Sequence, residues 1–264
     1  MPSFLGLDNK VALVTGAGTG IGKGCALMLA KAGAHLAVVD MRREAAEQTA
    51  REAQALGRKA IAIQADVRDL AAIDRMLSDA IAQLGGLDVC VNNVGGLAGH
   101  RPTPFLQATP QFFDDVVNNN LRATYFCCQA EAKSFIARKV KGCIINIAST
   151  GGLRSVKGIS PYGAAKAGII NLTLNAAIEL APHGIRVNAI APATTDTEAV
   201  QQRGKDGSFR PVEQANPMGR LAVPADLGGA AVYLASDLAS YVTGQTIVVD
   251  GGVTVTTPRP APGG

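Results

Sequence analysis

The feature of this 264-residue chain that most constrains its fold is a regular alternation of short apolar runs with helical segments. The short runs are rich in β-branched residues and continuously apolar, which is typical of strands in a parallel sheet covered on both faces. In the first half the pattern predicts strands over 10–15, 34–40, 60–66 and 87–92, with helices over 20–32, 42–56 and 70–84.

The second half continues this alternation around one interruption. It predicts strands over 142–149, 185–190 and 246–250, with helices over 110–138, 161–180 and 224–236. Residues 193–223 break the pattern with no clear strand, and we interpret 194–216 as a lid over the substrate. Residues 257–264, rich in proline and glycine, are predicted to be a flexible tail. Because no linker or repeat divides the chain, we predict one α/β domain over 1–264, a doubly wound parallel sheet of about seven strands flanked by helices.

The charge and the cysteine and histidine content argue against several kinds of partner. The net charge of +4 is spread along the chain without a basic cluster, so we expect no nucleic-acid partner. The five cysteines form no CxxC pair and the three histidines lie far apart, which predicts reduced, mostly buried thiols and no metal site. No secretion signal and no apolar run of about 18–20 residues is found, so we expect a cytoplasmic protein without a membrane partner.

A glycine-rich turn joins the first predicted strand to its helix. The sequence TGAGTGIG occupies positions 15–22, where glycine allows a tight turn and close approach of the backbone to a pyrophosphate. The N-terminus of the following helix offers free N–H groups and a partial positive charge to phosphates. This context predicts a dinucleotide site on a Rossmann fold, whereas the alternative is an ordinary glycine-rich turn.

Acidic residues end the next two predicted strands. Asp40 can accept both hydroxyls of an adenosine ribose and repel a 2′-phosphate, which predicts NAD rather than NADP as cofactor. Arg42 and Arg43 could instead pair with such a phosphate, or they could be solvated residues of the first helical turn. Asp66 and Val67 could meet adenine at the carboxyl edge of the sheet. Asp66 could also be a helix N-cap, a role for which Asp69 competes.

Tyr162 and Lys166 stand at i and i+4 at the start of a predicted helix and therefore share one face. A nearby ammonium can lower the pKa of a tyrosine, ordinarily about 10, by about 1–3 units toward the range useful for proton transfer. Ser149 at the end of the preceding strand could hold a substrate oxygen. By itself a Tyr–Lys pair of this spacing is also compatible with two surface residues.

These features occur in a fixed order together with the sequence NNVG at 92–95, RVN at 186–188 and DGG at 250–252. In combination the chain closely resembles the short-chain dehydrogenase/reductase family from about residue 10 to 252. The resemblance implies that Tyr162 is the general acid/base, that Lys166 lowers the pKa of Tyr162 and binds ribose, and that Ser149 orients the substrate. Asn120 would hold a proton-relay water, although Asn118 and Asn119 are neighbouring alternatives.

The same resemblance implies a set of cofactor contacts. Asn92 would support the central strand and the adenosine site, and Thr197 would contact the nicotinamide carboxamide. Two residues depart from the family pattern, Val94 in place of alanine and Ala193 in place of glycine, and each adds carbon near the cofactor. The implied NAD-binding residues are Gly16, Thr19, Gly20, Ile21, Gly22, Asp40, Met41, Asp66, Val67, Asn93, Gly95, Tyr162, Lys166, Pro192, Thr195 and Thr197.

The substrate is an alcohol or ketone of open identity. The candidate walls are 95–105, 151–158 and 194–216, in which Arg101, Arg154 and Lys157 could meet an anionic group or could be solvent-exposed loop cations. The pattern is similar to bacterial hydroxysteroid dehydrogenases, while relatives with the same motifs act on cyclic alcohols or 3-hydroxyacyl thioesters. The alternatives are an NADPH-dependent 3-oxoacyl-thioester reductase and a non-catalytic dinucleotide-binding regulator. The resemblance also implies a homotetramer.

Overall fold

The computed structural model describes residues 4–203 and 210–256 of the chain. Its centre is one sheet of seven parallel strands in the order β3-β2-β1-β4-β5-β6-β7. The strands are β1 Val11–Thr15, β2 His35–Asp40, β3 Ala60–Gln64, β4 Val89–Asn92, β5 Cys143–Ile147, β6 Arg186–Pro192 and β7 Thr246–Val249. The predicted parallel sheet of about seven strands is therefore confirmed. The chain reverses direction across the sheet between β1 and β4, where ligands of open α/β sheets bind.

Helices cover both faces of the sheet. They are α1 Gly20–Lys31, α2 Arg43–Ala55, α3 Leu70–Leu84, α4 Pro110–Val117, α5 Ala123–Ala137, α6 Ser160–Leu180, α7 Glu198–Arg203, α8 Arg210–Gln214 and α9 Pro224–Ala235. No helix of this described part is long and apolar enough to cross a membrane.

Alternation along the strands divides the core into two clusters. Val14 of β1 packs with Leu29 of α1 and Leu227 of α9 on one face. Leu13, its neighbour, points to the other face and packs with Met76 of α3 and Phe135 of α5. Successive side chains of a strand point to opposite faces, so a continuously apolar strand supplies both clusters. All five cysteines are free and buried, as expected from the sequence.

The structure corrects three predicted elements. The helix predicted over 110–138 is broken by a π-helical turn over Asn118–Arg122, which separates α4 from α5. The strand predicted to end at residue 66 ends at Gln64. The interruption at 193–223 contains the short helices α7 and α8, and its only strand-like pairing among described residues is an isolated bridge between Thr195 and Ala222. Part of the predicted lid, 204–209, and the predicted tail, 257–264, lie outside the described residues.

Candidate active site

A cavity of about 850 Å³ lies at the carboxyl edge of the sheet, where the connections after β1 to β6 converge. Most of the predicted cofactor residues are brought together in its wall. These are Gly16, Thr19, Gly20, Ile21, Asp40, Met41, Asp66, Val67, Asn93, Gly95, Tyr162, Lys166, Pro192 and Thr197. Gly22, Asn120, Ser149 and Thr195 are not part of the wall and lie around it.

The glycine turn has almost no spare room. Gly16 and Gly20 have φ of +61° and +57°, which only glycine adopts without strain. A methyl group on Gly22 would lie 2.2 Å from the carbonyl oxygen of Gly16. Asn93 holds this turn through its side-chain Nδ2, which donates to the carbonyl oxygens of Thr15 and Gly16 at 3.1 Å each. These contacts therefore fix the position of the turn's backbone in the cavity wall.

The N-terminus of α1 meets an acidic side chain. The backbone N–H of Gly20 donates to Oε2 of Glu198 at 3.1 Å, and Thr197 lies beside the same glycine. Free N–H groups at a helix N-terminus attract anions, and here a carboxylate occupies that position. Sequence reasoning missed Glu198 because its position depends on how α7 folds back onto the glycine turn.

Asp40 is buried, and its carboxylate is held by backbone groups. Oδ2 accepts the N–H of Gly18 and Oδ1 accepts the N–H of Arg42, each at 2.9 Å. The Arg42 side chain lies in the cavity wall and donates to Oγ1 of Thr19 at 2.9 Å. Arg43 instead pairs with Glu47 one turn along α2, at 2.8 Å. Of the two arginines, Arg42 alone is in a position to meet a ligand in the cavity.

Asp66 and Val67 lie beyond the end of β3 and still reach the cavity wall. Arg68 binds both carboxylate oxygens of Asp66 and lowers the pKa of that carboxyl below its ordinary value. The N-cap of α3 is Asp69, whose side chain accepts the N–H of Ala71. The N-cap alternative for Asp66 is therefore wrong.

Tyr162 and Lys166 lie in the first two turns of α6, as the spacing predicts. The Nζ of Lys166 is 5.7 Å from the centre of the Tyr162 ring and donates to the carbonyl oxygen of Ile147 at 2.8 Å. Burial lowers the pKa of Lys166 to about 7. The burial of this lysine could not be inferred from the spacing alone.

Ser149 stands two residues beyond β5, with its Oγ accepting the N–H of Gly151 at 3.1 Å. A methyl group on Gly151 would touch both Ser149 Oγ, at 3.4 Å, and the Tyr162 ring, at 3.6 Å, so these two side chains flank the same position. The serine and the tyrosine are thus near neighbours.

Asn120 is fully buried in the π-helical turn. Its Oδ1 accepts the N–H of Gly96, and its Nδ2 donates to the carbonyl oxygens of Gly96 and Val116. A methyl group on Gly95 would lie 2.6 Å from Oδ1 of Asn120 and 2.9 Å from Nζ of Lys166. Of the three consecutive asparagines, Asn120 is the fully buried one, next to Lys166, whereas Asn119 is in the cavity wall.

The remaining predicted residues divide between the wall and its support. Thr195 is buried, and its hydroxyl donates to the carbonyl oxygen of Ala193. Arg101 is in the wall, together with His100, which sequence reasoning missed. Arg154 turns away to the carbonyl oxygen of Val253, and no residue of 151–158 is in the wall, Lys157 included. The described part of the chain contains no cluster of His, Cys, Asp or Glu that could hold a metal ion.

Comparisons with known proteins agree with this geometry. The family model described as enoyl-(acyl carrier protein) reductase matches residues 16–254. The chain is 40% identical to 2-dehydro-3-deoxy-D-gluconate 5-dehydrogenase of Escherichia coli (strain K12), covering 95% of this chain and 97% of that one. It is 39% identical to the 3-oxoacyl-[acyl-carrier-protein] reductase FabG of Staphylococcus aureus (strain Mu50), covering 93% and 98%.

A solved structure of 7α-hydroxysteroid dehydrogenase, complexed with NADH and 7-oxo glycochenodeoxycholic acid, is also similar. It has a TM-score of 0.87 and 34% identity, covering 93% of this chain and 94% of that one. The chain therefore belongs to the short-chain dehydrogenase/reductase family. It is an oxidoreductase that acts on CH–OH groups, in a family that binds a nicotinamide dinucleotide.

Proposed function

We propose that this protein is an NAD-dependent dehydrogenase of secondary alcohols, with Tyr162 as the general acid/base. The observation that carries the proposal is the joint position of Tyr162, Lys166 and the glycine turn in one cavity. The residues present fit a dinucleotide, because Gly16 and Gly20 bring backbone without side chains into the cavity wall at the N-terminus of α1. Gly16, Gly20 and Thr19 would hold the diphosphate, and Asn93, Gly95, Pro192 and Thr197 would border the nicotinamide.

Asp40 supports NAD over NADP. Its buried carboxylate lies in the wall and would accept the ribose hydroxyls while repelling a 2′-phosphate. Arg42 offers the opposite charge nearby and is the feature that could admit NADP. We place Asp40 first because its oxygens are fixed by two backbone N–H groups, whereas the Arg42 side chain is exposed.

The proposed mechanism assigns proton movement to this chain. Ser149 holds the substrate oxygen by a hydrogen bond. Tyr162 takes the hydroxyl proton as the phenolate in oxidation and returns it as the phenol in reduction. The protonated form of Lys166 lowers the pKa of Tyr162 and binds ribose hydroxyls, while Asn120 keeps the loop at Gly96 against the lysine. When bound, the nicotinamide supplies hydride transfer to and from the carbinol carbon.

The substrate proposal is a secondary alcohol such as a hydroxysteroid or cyclic alcohol, supported by the similarity to 7α-hydroxysteroid dehydrogenase. A second candidate, reduction of 3-oxoacyl thioesters with NADPH, is supported by the similarity to the carrier-protein reductase. The five free buried thiols support a reducing compartment, and we propose the cytoplasm. We propose a homotetramer, for which Leu174 and Ile178 on α6 offer exposed apolar contacts.

The test is the initial rate of reduced-cofactor formation with NAD and with NADP over a panel of alcohols. The panel holds hydroxysteroids, cyclic alcohols, 3-hydroxyacyl thioesters and 3-deoxy sugar acids. We expect turnover with NAD, and a loss of about 10²–10⁴-fold in Y162F with NADH binding retained. Turnover by Y162F at the wild-type rate would contradict the proposed role of the tyrosine. Turnover of thioesters with NADP alone would favour the second candidate.

A further inference from the structure

One buried carboxyl group has no part in the proposed mechanism. Glu131 lies in the middle of α5 with no exposed surface. Its Oε2 accepts a hydrogen bond from Nδ2 of Asn92 at 3.0 Å, and the Cys90 thiol also donates to the carboxyl. Its Oε1 has no partner among the described residues. A buried carboxylate without a cation costs free energy, so the presence of an acidic residue at this position needs a physical explanation.

Glu131 begins a chain of polar side chains that crosses the sheet. Nδ2 of Asn92, the last residue of β4, also donates to Oδ1 of Asn146 on β5 at 3.1 Å. Nδ2 of Asn146 then donates to Oγ1 of Thr173 on α6 at 3.1 Å. Asn92 and Asn146 are directly paired in the register of the two strands. These hydrogen bonds therefore join four elements, β4, β5, α5 and α6. Asn93 follows β4, Ser149 follows β5, the π-helical turn precedes α5, and Tyr162 lies in α6.

Asn92 connects this series of hydrogen-bonded side chains to the glycine turn. The next residue, Asn93, donates its backbone N–H to Oγ1 of Thr15 at 3.0 Å and its side-chain amide to the carbonyl oxygens of Thr15 and Gly16. The glycine turn packs so closely on this amide that a methyl group on Gly16 would lie 2.9 Å from it. A displacement of Asn92 would thus move Asn93 and the turn with it.

We propose that Glu131 is a positioning residue for the glycine turn. In its uncharged form, Glu131 fixes Asn92 and, through Asn93, the glycine turn. The inference rests on the proposed placement of the dinucleotide against that turn. An uncharged carboxyl keeps an acceptor for Asn92 and adds no buried charge. Its ionised form would accept a stronger hydrogen bond from Asn92, but it would also place a buried charge on Oε1, which has no partner among the described residues. That charge would attract water toward the end of β4 and loosen the pairing of Asn92 with Asn146.

The surroundings of Glu131 favour the uncharged form. Burial is the dominant influence and raises the pKa of Glu131 to about 7, against the smaller opposing effect of the hydrogen bonds from Asn92 and Cys90. The titratable groups that face it are Cys90 of β4 and Cys127 and Cys128 of α5, thiols whose pKa is itself raised by burial. Asn146 of β5 and Thr173 of α6 are neutral. Because the folded pKa is raised, the uncharged form is lost as pH increases through about 7.

The test compares Glu131→Gln, Glu131→Ala and the control Phe135→Leu, a core change one turn further along α5. Binding of NADH and of NADPH is measured by cofactor fluorescence at pH 6 and pH 8.5, with thermal unfolding of each variant alongside. E131Q keeps the shape and cannot ionise. We expect it to match the wild type at pH 6 and to bind NADH at least about threefold more tightly than the wild type at pH 8.5. E131A should bind at least about threefold more weakly than F135L at pH 6.

Equal affinities of wild type and E131Q at both pH values would overturn the proposal. So would equal weakening in E131A and F135L, because both would then report only lost stability. If E131A does not fold, the comparison of E131Q with the wild type still decides. Failure of the wild type to bind either dinucleotide would refute the proposed function together with this inference, whereas normal binding that is independent of residue 131 refutes this inference alone. Titration of Lys166 is common to wild type and E131Q and cancels in their ratio.

Discussion

The two ends of the cavity are built in contrasting ways. At the adenosine end, a methyl group on Gly18 would lie 2.7 Å from Oδ2 of Asp40, and one on Gly22 would lie 2.2 Å from a backbone oxygen. At the substrate end, a methyl group on Gly96 or Gly99 would meet nothing within 4 Å. Close packing fixes the glycine turn at the adenosine end, whereas Gly96 and Gly99 at the substrate end have open space around them. The glycines of the cofactor end therefore admit no larger side chain without displacing their neighbours, whereas the loop at the substrate end has room for one.

The largest effect on the free energy of unfolding is expected from Gly22→Ala. Its added carbon collides with backbone, which cannot move aside as a flexible side chain can, so we expect a loss of about 2–3 kcal/mol in the free energy of unfolding. Gly99→Ala is the matched control. It has φ of +85° and open space, so it should cost about 1–2 kcal/mol from backbone strain alone. Urea denaturation measures both. Equal costs would break the contrast between the two ends.

A smaller effect is expected from Glu198→Gln. The Glu198 carboxylate accepts the N–H of Gly20, at the helix N-terminus where the diphosphate is proposed to bind. Removing this charge should reduce repulsion, and NADH should bind about two- to fivefold more tightly, equivalent to about 0.4–1 kcal/mol. Glu213→Gln on α8 serves as a control for a charge removed elsewhere in the lid. Weaker NADH binding in E198Q would mean that Glu198 supports the cofactor site.

Sequence periodicity predicted most of the fold because continuously apolar strands and amphipathic helices alternate clearly. It missed the π-helical turn, since Asn118–Arg122 contains neither proline nor glycine and continues a helical pattern. It also extended the third strand to residue 66, because Ala65 follows the run smoothly although β3 ends at Gln64. The short helix α7 has too little apolar pattern to be recognised.

Within the site, contiguous motifs were the predictable part. The glycine turn, Asp40 and the pair Tyr162 and Lys166 are each visible as local sequence. Glu131 and Glu198 were missed because their contacts join residues far apart in the chain, 39 and 178 positions from their partners. Thr195 was expected at the cofactor and is buried behind the wall, since the chain pairs there with Ala222.

The most direct test of the proposed NAD preference is the affinity of wild type and Asp40→Ala for NADH and NADPH, measured by cofactor fluorescence. Asp40→Asn removes the charge and keeps one acceptor oxygen, for the N–H of Gly18 or of Arg42. We expect the wild type to prefer NADH by at least about tenfold, or 1.4 kcal/mol, and D40A to lose this preference. A wild type that prefers NADPH, or a D40A variant that keeps the preference for NADH, would contradict the proposed role of Asp40.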